Sequence, residues 1–168
     1  MSMLELFLLP ACFFAAMYDF LFYKIPNWLV LLVIGGFFAK SLFAISMGAP
    51  LDILVHPSIT FLITLFIGFI LFAYGAMGAG DAKLLAACSL WMADINPINF
   101  IMLVTISGGI LALIYLIMKK PLDFIRDLLL SKIVNKFDGD SLIINEKNMV
   151  PYAIAILGGV VWMVLHNR

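Results

Sequence analysis

Two aspartates stand at the edges of apolar stretches in a chain that carries few charges. Asp19 closes the first stretch and is followed by Lys24-Ile25-Pro26-Asn27, while Asp81 follows Gly78-Ala79-Gly80 and precedes Ala82, Lys83 and Leu84. A carboxylate in such a setting costs several kcal/mol unless it is paired or faces water, so function is its default reading. When two carboxyls share a site, like-charge repulsion leaves the pair holding one proton over a wide pH range. The ionised member can then take a proton from water as it attacks a peptide carbonyl, and the protonated member can donate to the carbonyl oxygen. That chemistry needs no nucleophilic serine or cysteine.

The elements that must position these groups follow from composition. With 65% hydrophobic and 12% charged residues over 168 positions, the chain departs from soluble domains and reads as an integral membrane protein. Apolar runs predict six membrane helices over 3–22, 28–45, 53–74, 82–93, 100–118 and 150–165, given that about 20 helical residues cross the hydrocarbon core. Unbroken runs such as Phe61 to Ala73 lack the alternation of barrel strands, so the expected class is all-α, one polytopic bundle forming a single domain over 1–168. The first run lacks the basic flank of a signal peptide and carries Glu5 instead, so it is expected to remain as a span. Between the last two spans, Leu122, Ile125, Leu129 and Ile133 recur at helical spacing, which predicts an amphipathic helix over 121–136 lying in the membrane interface.

The fourth run is short, because Asp94, Asn96 and Pro97 interrupt it. The shortfall is met if Gly75 to Gly80 enters the bilayer as irregular backbone lining a wet cavity. The lysines set the topology. With the Lys24 loop cytoplasmic, Lys83, Lys119, Lys120, Arg126, Lys132, Lys136 and Lys147 share that side, and only Lys40 and Arg168 lie outside. Both termini then face outward, and Asp19 and Asp81 both lie toward the cytoplasm.

Each of these residues also has a plainer reading. Gly75, Gly78 and Gly80 can end a helix, although glycines at 78 and 80 equally suit a site needing φ > 0 or close approach of a substrate strand. Asp19 can be an interfacial residue paired with Lys24, Pro26 and Asn27 a turn opening a helix, and Lys83 a membrane anchor. Cys12 and Cys88 have no CxxC spacing and read as packing residues rather than a disulfide or zinc ligands. His56 and His166 have no ligand spacing, and Asp138-Gly139-Asp140 lacks the Glu of a calcium loop, so no metal or cofactor is expected. Trp28, Trp91, Trp162 and Tyr152 fit interfacial belts, and no basic patch points to nucleic acid.

Taken together, these motifs resemble the type IV prepilin peptidases, membrane aspartic proteases of the GxGD type, and among them the short Tad-type members. The resemblance rests on Asp19 with Lys24-Ile25-Pro26-Asn27, on Gly78-Ala79-Gly80-Asp81-Ala82-Lys83-Leu84, and on Val150-Pro151-Tyr152-Ala153-Ile154-Ala155 opening the last span. It implies that Asp19 and Asp81 are the catalytic pair, with Gly78, Gly80, Lys24, Pro26, Asn27, Lys83, Pro151 and Tyr152 supporting them. The implied substrates are prepilins and prepilin-like proteins, cut at the cytoplasmic face between a short basic leader ending in Gly and a hydrophobic helix. Acidic Asp123, Asp127 and Glu146 are candidates to attract that leader. Larger bacterial members carry an N-terminal extension with paired cysteines, associated with zinc and with methylation, so this chain is expected to cleave without methyl transfer. The competing readings are a small ion- or proton-coupled transporter, in which the aspartates bind cations beside a broken helix, and a non-catalytic scaffold.

Overall fold

In a computed structural model, residues 3–22, 24–75, 77–93, 97–134 and 152–166 are described. They form six helices and, among the described residues, no strand. These are α1 (Met3–Phe22), α2 (Asn27–Ser46), α3 (Asp52–Ala73), α4 (Ala79–Met92), α5 (Pro97–Val134) and α6 (Ala153–His166). Pro151, Asp94, Asn96, Lys136, the Asp138 to Asp140 turn, Glu146, Lys147 and Arg168 lie outside the described residues.

Helix α4 is the centre of the bundle. From Asp81 to Met92 every side chain except Lys83 is buried, which is what an apolar helix with no polar face must do. Helix α3 packs most extensively on it, allowed by Gly68, where a Cβ would come within 2.9 Å of the Ala82 Cβ. Helices α2, α5 and α6 also contact α4, and α1 lies chiefly against α6.

Large apolar side chains cover much of the outer face of α2 and α3. Phe66 and Phe69 of α3 and Leu31 and Phe43 of α2 are among many exposed large apolar side chains. Both α2 and α3 are long and apolar enough to cross a membrane, while Phe7–Phe22, Ile98–Ile114 and Ala153–Leu165 are shorter apolar segments.

Helix boundaries follow local chemistry. Pro26 (φ −68°, ψ 135°) sits at the N-cap of α2, and a residue before proline is driven out of the helical region, so α1 cannot run on into α2. Gly75, with φ +72°, follows the C-cap Tyr74 and ends α3 in the left-handed conformation that glycine adopts without strain. The break expected between the fifth span and the following helix is found as a kink within α5, where two helical stretches meet at the non-helical torsions of Met118 (φ −104°, ψ 18°). Pro121 has no N–H to offer the Ile117 carbonyl, so the helical ladder loses a bond beside that kink.

Trp91 corrects the interfacial reading. It is 3% exposed, stacks on Phe7 (centroids 5.8 Å apart), meets Phe37 edge-on at 5.9 Å and donates its indole N–H to the Val33 carbonyl at 3.1 Å. The Lys40 ammonium lies 5.6 Å above the ring. Trp91 therefore joins α1, α2 and α4, whereas Trp28 and Trp162 are exposed as belts require. We expect Trp91→Ala to cost about 3–5 kcal/mol, read as a lowered melting temperature in detergent.

Candidate active site

Asp19 occupies the last turn of α1 and is only 4% exposed. Its Oδ2 accepts the N–H of Ala153, the first residue of α6, at 3.1 Å. The leading N–H groups of a helix have no partner within it, and the helix dipole favours an anion there. The alternative of an interfacial Asp19 paired with Lys24 does not hold, since Asp19 is buried while Lys24 is exposed.

Asp81 lies inside the first turn of α4, because the helix starts at Ala79 rather than Ala82. Its carboxylate turns back and accepts the N–H of Gly78, the N-cap residue. An acid three positions past the cap can do this for a helix, so Asp81 extends its own helix backward by satisfying the first orphan donor. The irregular segment expected over 75–80 therefore ends at 78.

The two glycines act through space rather than torsion. Gly78 has φ −70° and ψ 148°, a conformation open to any residue, but a Cβ there would sit 2.7 Å from Asp81 Oδ2. At Gly80 a Cβ would lie 3.1 Å from the Ile25 Cβ. The segment that links α1 to α2 thus seats Ile25 on the first turn of α4. A second tie joins the same elements, with Lys83 Nζ donating to Asn27 Oδ1 at 3.3 Å. Of the three glycines considered as helix caps, only Gly75 serves as one at a C-terminus.

Three contacts give the register of α1 against α4. Phe7 meets Trp91, Cys12 meets Cys88 with sulfurs 3.5 Å apart, and Asp19 and Asp81 lie within electrostatic reach of each other. Seven residues separate each cysteine from the aspartate on its own helix, so two helical turns carry the thiol contact down to the carboxylates on the same faces. Both cysteines are buried and free, as packing residues are. Their equal spacing to the aspartates was a usable sign of this pairing.

Tyr152 completes the surroundings. It is half-buried, lies within electrostatic reach of Asp81, and directly precedes the Ala153 amide on Asp19. Gly78 and Tyr152 thus stand beside Asp81, Gly80, Ile25, Asn27 and Lys83 tie the α1–α2 link to the start of α4, and Pro26 acts as the cap of α2. Residue type alone could not disclose the Ala153 donor, since a main-chain N–H belongs to every residue but proline.

One atom of this site is unsatisfied. Asp81 Oδ1 is buried and has no hydrogen-bond partner among the described residues. Among the described residues no three His, Cys, Asp or Glu side chains cluster together. The side chains of Asp123 and Asp127, the acidic candidates for leader binding, lie outside the described set, as does Glu146.

Compared with known proteins, residues 6–117 match the family model of the type IV leader peptidase family. No curated protein and no solved structure matches the chain.

Proposed function

The chain belongs to the type IV leader peptidase family, and from that premise we propose that it is an aspartic endopeptidase of the GxGD type with Asp19 and Asp81 as its catalytic pair. The observation that carries the proposal is the placement of two buried carboxylates, from α1 and α4, within electrostatic reach of each other. One carboxylate takes a proton from water as the water oxygen bonds to the scissile carbonyl carbon. The other gives its proton to the carbonyl oxygen; the C–N bond of the tetrahedral intermediate then breaks as the amine takes the proton removed from water, and the diol hydroxyl returns a proton to the carboxylate that donated one.

The substrates are prepilins or prepilin-like proteins, in a Tad-type context, cut between a short basic leader and a hydrophobic helix. The chain acts as one membrane-embedded unit of six spans with the kinked end of α5 at the interface. The enzyme resides in the cytoplasmic membrane, its site toward the cytoplasm and its termini outside. Burial of a peptide bond and a water beside the carboxylates strengthens every charge interaction there. The activity is cleavage without methyl transfer.

Reconstituted in liposomes with a recombinant prepilin, the protein is expected to release the leader and to continue doing so after treatment with serine-directed sulfonyl fluorides. Cleavage followed by mass spectrometry checks this. Inhibition by such a reagent would remove the aspartic assignment.

A further inference from the structure

Asp19 is held by a main-chain donor, so whatever fixes the start of α6 also fixes that carboxylate. Two attachments to α5 flank the donor. One residue before Ala153, the Tyr152 ring fills the space over Gly108, where any Cβ would overlap the ring and its hydroxyl. Two residues after it, the Ala155 carbonyl accepts from Ser107 Oγ at 3.1 Å, a hydroxyl shared with the Leu103 carbonyl at 2.7 Å. Glycine inside a helix is unfavourable, and at 108 the slot for Tyr152 accounts for it. Its neighbour Gly109 faces open space.

We propose that Gly108 and Tyr152, aided by Ser107, are positioning residues for the cleavage reaction: they key the N-terminus of α6 into α5 and so keep the Ala153 N–H on Asp19. The proposal rests on reading Asp19 as catalytic. Tyr152 acts by its shape, its ring and hydroxyl filling the slot over Gly108. Misplacing a reacting group by about 1 Å can cost on the order of 100-fold in rate, so the effect falls on the chemical step and leaves substrate binding alone.

Leader cleavage by the full chain, with a recombinant prepilin as substrate, separates these roles. Gly108→Ala and Tyr152→Ala are expected to lower kcat roughly 10- to 100-fold with KM within about twofold. Gly109→Ala is expected to cleave like the unaltered protein, and Tyr152→Phe, which keeps the ring, to be faster than Tyr152→Ala. Tyr152-Ala153 is the one Tyr-Ala step in the sequence, so carbonyl-labelled tyrosine with nitrogen-labelled alanine isolates the Ala153 amide signal in a nuclear magnetic resonance spectrum. That signal should move on Gly108→Ala in the same direction as on Asp19→Ala, which removes the acceptor. An unmoved signal with normal kcat in Gly108→Ala overturns the proposal, and so does a Tyr152→Phe variant as slow as Tyr152→Ala. If Gly108→Ala does not accumulate, the two Tyr152 variants decide alone. Normal cleavage by Asp19→Asn would overturn the catalytic reading instead, while the amide signal still reports whether the key exists.

Discussion

Asp19→Asn and Asp81→Asn each lower leader cleavage by about 1,000-fold or more while the protein accumulates and keeps or raises its melting temperature. The size follows from losing a proton acceptor or donor in the transition state, a role supplying about 10²–10⁴-fold. Asparagine has nearly the shape of aspartate, and its amide oxygen can still accept the Ala153 N–H at position 19 or the Gly78 N–H at position 81. The fold therefore keeps its bonds. It also loses one of two buried carboxylates that repel each other, and removing such a charge is neutral or stabilising. Combining the two substitutions should slow cleavage no further than either alone, because the carboxyls act as one unit. Activity and melting temperature measured on the same preparations check this. A scaffold would lose neither, and near-normal cleavage by either single variant would remove the dyad.

The fold was legible wherever a helix is ended by the residue itself. The second and third spans, expected over 28–45 and 53–74, are found over Asn27–Ser46 and Asp52–Ala73, because Pro26 and Gly75 stop helices by their own torsional limits. The start of α4 was not legible in that way. Asp81 lengthens that helix by folding its side chain onto Gly78, a bond that depends on a rotamer rather than on a residue type. Trp91 was misplaced for another reason: at a span end it fits a lipid interface, and only the convergence of Phe7, Phe37 and Val33 from two other helices buries it. The two aspartates could be found because charge is costly among apolar residues. Ala153 and Gly108 could not, since one contributes a main-chain hydrogen and the other an absence of atoms.

The three glycines before Asp81 separate cap from site. Gly78→Ala introduces no torsional strain at φ −70°, ψ 148°, yet its Cβ would lie 2.7 Å from Asp81 Oδ2, closer than real contacts allow. Either the carboxylate swings off the Gly78 N–H or the first turn of α4 shifts, and both spoil the alignment with Asp19. A loss of about 100-fold in kcat is expected, since displacements on the order of 1 Å have that effect. Gly80→Ala is gentler, because the Ile25 Cβ at 3.1 Å need recede by only a few tenths of an ångström, and its loss should be no more than about tenfold. Gly75→Ala has open space but a φ of +72°, so it should cost roughly 1 kcal/mol of stability and leave cleavage near normal at a temperature where the protein stays folded. Kinetics and melting temperatures of the three variants check the order. If Gly75→Ala were the slow enzyme and Gly78→Ala merely the less stable one, the glycines would be ending a helix and the fold of Asp81 onto Gly78 would not be what aligns the carboxylates.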